Sequence, residues 1–520
     1  MADSSSPPKR RPEAFAGSVA LANSKAAAPA ASAVPVVRVR APEPAAAVAL
    51  PRSALGLRAA QAQPKAVDVP LEFSIPVLEG RREGLPVAIG KYPVLRKLGE
   101  GATSEVFLCK DEFNRRLVAI KRVRPGALND AVSGRYSARF FAAEAALVGR
   151  LQHPNVVQIF DAVDDPVSPY LVMEYVEGST LRPHCRSDKL LSLELIVEIG
   201  FKCAMALGYV YLQGLIHRDV KPANLMLCME NDVITDVKVT DFGSVFNLSS
   251  EMTQVFRVGS LAYMSPEQLD GSTLDARADI YSLGAVLYHM IAGRPPFDAQ
   301  EQPALVNQIY NRVPAPLARH RAGLSPAVDQ VIQRALAKRK EDRYPNWDAF
   351  AQALSGLISQ QQVPRGQIQG VLDSERFNLL SMLEFFASFG DVELWEVVRR
   401  AKWQRFDFGH SLYRKGEEGN TFHILAQGEV EVFRDGAKVA HLGAGTSVGE
   451  MAYLAPNPEL RVHSADIIVT EPATTISFTP ESISQLSLSC QRLFDQAFIR
   501  VLVRRLSAAH EALAHPRRIA

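Results

Sequence analysis

The stretch His217-Arg218-Asp219-Val220-Lys221-Pro222-Ala223-Asn224, followed by Asp241-Phe242-Gly243, constrains this chain more than any other feature. It sets an acid, a lysine and an amide at fixed spacing, with a second acid just downstream. Transfer of a phosphoryl group from ATP needs that set. A carboxylate must orient a hydroxyl and relieve it of its proton, a cation must meet the phosphate charge, and Mg²⁺ needs hard oxygen ligands. A lone Asp-Phe-Gly would say little; the two segments in this order say much.

The segments upstream fit the same chemistry. Leu98-Gly99-Glu100-Gly101-Ala102-Thr103-Ser104-Glu105-Val106 predicts a strand-turn-strand whose glycines let backbone approach phosphates closely. Ser104 stands where the usual pattern has its third glycine. Val118-Ala119-Ile120-Lys121 is a β-rich run ending in a lysine suited to the α- and β-phosphates, and Glu144, in a helical stretch, is placed to orient that lysine. Singly these residues suit any hairpin, strand end or solvated helix face. Together, in register, they point to one site.

Residues from about Lys91 to about Leu357 resemble a eukaryotic-type Ser/Thr protein kinase of the kind common in bacteria. The resemblance implies a bilobal fold, ATP and Mg²⁺ as cofactors, and protein Ser/Thr hydroxyls as acceptors. It implies Asp219 as catalytic base, Lys121 and Lys221 on phosphates, Glu144 paired with Lys121, and Asn224 and Asp241 on the metal. Gly99, Gly101, Val106, Ala119 and Met226 would enclose the nucleotide. Met173 would be the gatekeeper, with Glu174-Tyr175-Val176 as the hinge that bonds adenine. Val148, Ile159, Phe242 and His217 would stack as a regulatory column, Asp279 would lie below the catalytic loop, and Arg343 would pair with Glu267. Ser260 matches a hydroxyl that bonds Asp219 and Lys221 in Ser/Thr enzymes, and Ala223 speaks against strongly basic substrates. Arg218 implies control by a phosphate on the activation segment. Ser249, Ser250 and Thr253 are the candidate acceptors, although such hydroxyls equally suit an ordinary loop. A pseudokinase scaffold is the rival reading, and the filled catalytic positions weigh against it.

With 520 residues the chain has room for more than one domain. Residues 1–88, rich in Ala and Pro, predict a disordered tail. The catalytic domain is expected over 91–357, and a polar stretch broken by Pro and Gly predicts a linker over 358–374. Over 375–513, helices lead into glycine-punctuated short strands and then return, which indicates an antiparallel β-roll with flanking helices. The fold class expected is thus α+β and multidomain. This second region resembles a cyclic-nucleotide-binding domain, with Gly416, Gly419, Gly428, Gly436, Gly443, Gly445 and Gly449 on the family's turn glycines. The resemblance implies that Glu450, after Gly449, takes a ribose hydroxyl and that Arg461 pairs with the phosphate. The usual Pro-Arg is missing and Arg461 lies about two residues late, so a β-roll without ligand, with Glu450 capping a turn, stays open. Val462 after Arg461 favours cyclic AMP over cyclic GMP, and His463 reads as an ordinary strand residue. A homodimer through the helix around Ala497 to Ala509 is also compatible.

Net charge is +2, so nucleic acid and anionic membranes are not expected partners. The five cysteines are scattered without a CxxC pair, which supports neither a disulfide frame nor a zinc site and fits a reducing cytoplasm. No uninterrupted apolar run of about 18 residues and no secretory h-region is present.

Overall fold

The computed structural model describes residues 85–101, 103–125, 133–244, 246–247, 261–364 and 372–514. Alternating runs rich in Val, Ile and Phe build the first layer, an antiparallel sheet of β1 (Tyr92–Glu100), β2 (Ser104–Asp111), β3 (Arg116–Val123), β4 (Ile159–Val163) and β5 (Tyr170–Glu174), with Ala88–Ile89 at one edge. The spatial order is β1-β2-β3-β5-β4. Helix α1 (Ser133–Ala145) crosses before β4. Register sets Lys121 of β3 opposite Val106 of β2 and Leu171 of β5.

A helical lobe follows. Its axis is α2 (Leu193–Leu212), which starts where Ser192 Oγ accepts from Leu195 N and is buried along most of its length. Among the described residues it alone is long and apolar enough to cross a membrane, yet it is the central core helix here. The hairpin β6 (Leu225–Glu230) and β7 (Val233–Val239) lies between the loops that carry the two acidic motifs. Helix α3 (Ala276–Ala292) is capped by Asp275 and stopped by Gly293 in a left-handed conformation. Helix α4 (Trp347–Ser359) closes the lobe against α2.

The expected linker does not separate two cores. Residues 365–371 lie outside the described set, but Leu372 is already buried and α5 (Asp373–Met382) packs on α2, as does α6 (Asp391–Arg400). Helix α5 stops at Met382, where Leu383 turns extended, and a single 3₁₀ turn follows at Glu384–Phe386. The β-roll then forms from β8 (Lys402–Phe406), β9 (Phe422–Arg434), β10 (Ala437–Leu442) and β11 (Asp466–Phe478), in the order β8-β11-β9-β10, with helix α7 (Glu450–Leu454) inserted before β11. Asp435 and Gly436, both at positive φ, make the tight β9–β10 turn read from sequence. Helix α8 (Leu488–Ala514) ends the described chain. One hydrophobic cluster runs from Phe201 of α2 through Phe377 and Trp395 to Phe422, Phe494 and Phe498. Two groups of rings pack within it: Phe201 lies 5.7 Å from Trp395, and farther along Phe385 lies 5.8 Å from Phe494 and Phe422 4.9 Å from Phe498.

Candidate active site and sensor pocket

Lys121 is the hub of the first site. Its Nζ donates to Glu144 Oε1 and Oε2 at 2.8 and 3.0 Å and to Asp241 Oδ1 at 2.6 Å. Burial alone would lower the Lys121 pKa, but the Asp241 and Glu144 charges raise it well above its usual value. Burial works against ionised Asp241 too, and Lys121 still holds it far below the carboxylate range. Burial, with the Asp241 charge adding to it, pushes Glu144 up to about 7 despite Lys121. Two carboxylates therefore crowd one ammonium. That surplus of negative charge fits a divalent cation beside Asp241.

The catalytic loop is fixed from below. Asp279 of α3 accepts from the backbone N–H of His217 at 2.7 Å and of Arg218 at 2.8 Å. Arg218 and Asp241 both sit at positive φ, 66° and 65°, a backbone state that side chains disfavour and that the surroundings must enforce. The enforcing contacts are visible. Gln268 Nε2 donates to Arg218 O at 2.9 Å, and His217 Nε2–H donates to Thr240 O at 3.0 Å. Asp219 Oδ2 accepts from Lys221 Nζ at 2.6 Å and from Asn224 Nδ2 at 3.1 Å. Asn224 Nδ2 also reaches Asp219 O at 2.9 Å, which turns the oxygen end of the amide outward for a cation. Asn224 O in turn accepts from Thr240 N, joining the loop to the Asp241 segment. Among the described residues no three carboxylate, His or Cys side chains form a protein-only metal cage. Asn224 and Asp241 instead suit a small hard cation completed by phosphate and water oxygens.

Other expected positions can be placed in the fold. Phe242 packs on His217 at 5.0 Å, and Ile159 and Val148 join the same cluster. Ala119 and Val176 are buried, while Val106, Glu174 and Met226 are half-buried, and Glu174 pairs with Lys238 at 3.0 Å. Gly99 and Gly101 have no positive φ, and a Cβ on Gly99 would meet nothing within 4 Å. Their small size is thus not required by the turn itself, which leaves it to whatever approaches from outside. Arg343 forms the expected buried bidentate pair with Glu267 at 2.6 and 2.9 Å. Ser249, Ser250, Thr253 and Ser260 lie outside the described residues.

The second site lies in the β-roll, a cavity of about 320 Å³ lined by Leu442, Val448, Gly449, Glu450, Val462 and Arg505 among others. Gly449 sits at φ 83°, and a Cβ there would stand 2.6 Å from the Tyr413 hydroxyl. Glu450 is buried, and burial raises its pKa against the pull of Arg505. The cation beside Glu450 in this cavity is Arg505, whereas the residue expected to meet a phosphate is Arg461. Arg505 reaches in from α8 to Glu450 and donates to Ser447 O at 2.7 Å. Arg461 instead turns to Ala455 O at 3.3 Å and does not line the cavity. The late, irregular loop before Arg461 already put it in question; nothing in local spacing pointed to Arg505. His463 lies in a loop, not a strand, with its ring stacked 3.9 Å from Tyr413. Glu450 and Ser447 both line the cavity, and the Ser447 hydroxyl joins Arg505 in working against the effect of burial on the Glu450 carboxyl. A carboxylate, a hydroxyl and a guanidinium among the lining residues fit a hydroxyl-bearing ligand.

Comparison with known proteins agrees with both halves. A model of the protein kinase domain matches residues 92–355, half of the chain, and a model of the cyclic nucleotide-binding domain matches residues 403–489. The chain belongs to the protein kinase family. It is similar to the serine/threonine-protein kinase PknB of Mycolicibacterium smegmatis, 36% identical over 300 residues, which cover 56% of this chain and 46% of that protein. PknB of Mycobacterium leprae is 39% identical over 261 residues, covering 49% of this chain and 41% of its own. A probable PknB of Bifidobacterium longum is 36% identical over 281 residues, covering 51% and 40%. The chain spans less than half the length of these relatives.

Proposed function

We propose that this chain is an ATP-dependent protein serine/threonine kinase whose C-terminal domain takes a cyclic nucleotide, cyclic AMP first, and through it sets the rate of transfer. The observation that carries the reading is Lys121 held between Glu144 and Asp241, beside an Asp219 locked by Lys221 and Asn224. Asp219 orients the acceptor hydroxyl and takes its proton, while Lys121 and Lys221 hold phosphate oxygens. When bound at Asp241 and Asn224, Mg²⁺ supplies charge neutralisation of the transferring phosphates. Arg218, pinned to Asp279 through its backbone, is the residue that a phosphate on Ser249, Ser250 or Thr253 would pair with. For the sensor, support comes from Glu450 and Ser447 lining the cavity and from the Arg505 cation beside them.

The test is phosphate transfer from labelled ATP to a generic protein acceptor, with and without cyclic AMP. Asp219→Asn is expected to lose about 10²–10⁴-fold of the rate. A parent protein that transfers nothing would make the chain a scaffold. A rate indifferent to cyclic AMP would reduce the C-terminal half to a docking module. A homodimer is a further reading, favoured by the exposed apolar residues Ile499, Val503 and Leu506 of α8.

A further inference from the structure

Trp395 belongs to the second domain, yet its one polar atom is committed to the kinase lobe. The side chain is fully buried, and its Nε1–H donates to Asn155 Oδ1 at 2.9 Å. Asn155, also fully buried, sits in the loop between α1 and β4, downstream of Glu144. Its Nδ2 donates to Val237 O at 2.7 Å and to Asp236 Oδ1 at 2.8 Å. Its carbonyl accepts from Val239 N at 2.8 Å, and Val157 N donates back to Val239 O at 2.9 Å. Strand β7 ends at Val239, and Asp241 follows two residues later. Asn155 thus ties the loop that follows the helix carrying Glu144 to the strand that delivers Asp241, the two carboxylates that converge on Lys121.

The side-chain amide can make its bonds to Asp236 and Val237 only if its plane is fixed. Its oxygen needs a donor, and in a dry core an unpaired one would favour a flipped or displaced amide. Among the described residues, Trp395 supplies the donor to that oxygen. We propose that Trp395 is a positioning residue for phosphate transfer, fixing Asn155 and through it the placement of Asp241. The inference rests on the kinase reading, and it assigns part of the active-site scaffold to the C-terminal half of the chain.

The neighbour Phe377 provides a control. Its ring lies 6.2 Å from Trp395 and 5.7 Å from Phe201, so it shares the same packing but makes no bond to Asn155. In the full chain, Trp395→Phe removes the N–H and keeps a ring, while Phe377→Leu disturbs the packing alone. Should Trp395→Phe fail to fold, benzothienylalanine at this position keeps the two-ring shape without the donor. Three readouts are compared: turnover, the Mg²⁺ concentration for half-maximal binding of a fluorescent ATP analogue, and amide hydrogen exchange over residues 236–243 without nucleotide. Loss of the Trp395 donor is expected to speed exchange, and to lower kcat and raise the Mg²⁺ requirement by about 3- to 10-fold, at or just below the usual range for supporting-shell changes. Phe377→Leu should match or exceed the fall in Tm and leave all three near the parent values. Unchanged exchange and Mg²⁺ requirement in the donorless variant, or equal changes in Phe377→Leu, would overturn the proposal. A parent that binds nucleotide without transferring phosphate would sink the kinase reading instead, while exchange and Mg²⁺-linked binding still decide the role of Trp395.

Discussion

Glu450 carries a charge almost wholly out of water, and Arg505 is the cation that compensates it. Removing one partner of such a pair costs more than removing both, because the survivor stays buried and uncompensated. Arg505 is itself partly exposed, which moderates the effect. Arg505→Ala is expected to lower stability by about 1–2 kcal/mol, and adding Glu450→Gln should recover most of it. Urea denaturation of the two single variants and the double checks this; additive losses would count against the pairing. The same residues mark how far sequence reading reaches. Asp219, Lys221, Asn224 and Asp241 were readable because transfer chemistry demands those side chains within a short, fixed stretch. Glu144 and Arg343 followed because a family resemblance names their partners across the fold. Arg505 was not readable. It is brought to Glu450 by a helix whose seat depends on Phe385, Phe494 and Phe498 packing together, and no local spacing encodes that.

At the scale of elements, glycine turns and period-2 strands disclosed the β-roll well, since each short strand needs a chain reversal that few residues allow. Helix ends were less readable. The break at Leu383 carries neither Gly nor Pro, and it is fixed by Phe385 and Phe386 turning into the core. Helix α8 shows the opposite problem, an excess of apolar surface. Ile499, Val503 and Leu506 fall at i, i+4 and i+7 and are 60%, 59% and 58% exposed, a seam of the kind that pairs helices. Replacing Val503 and Leu506 with Ser is expected to turn a dimer into a monomer without loss of fold. Sedimentation equilibrium of parent and variant decides it, and a parent that stays monomeric at high micromolar concentration would discard the dimer.

Across the whole molecule, the described residues from both halves share one hydrophobic cluster and a set of buried charges. Lys202 of α2 pairs with Asp373 at 2.9 Å and Asp236 at 3.2 Å, Arg399 reaches Asp236 at 2.9 Å, and Ser374 donates to Glu198 at 2.6 Å. Burial would lower the Lys202 pKa, and the surrounding acids raise it instead. The helical lobe and the β-roll are therefore expected to unfold in one calorimetric transition, not two, because neither can leave without stranding the other's charges. Two well-separated peaks would refute this. The polar stretch around Pro364 read as a domain boundary because composition reports what a segment lacks, not what its neighbours bury. The signal that bore on the seam was Glu198 and Lys202, charges in a helix that is otherwise largely apolar beyond Glu194 in its first turn.

Asp373 and Lys202 also limit how such a chain can be rebuilt. A kinase lobe without the lysine would take from the acid of a transplanted C-terminal half its nearest cation, leaving it to Arg376 and the more distant Arg399. Recombination between distant homologues is then expected to keep function best where it carries both sides of the seam together, as a matched set and not as interchangeable modules.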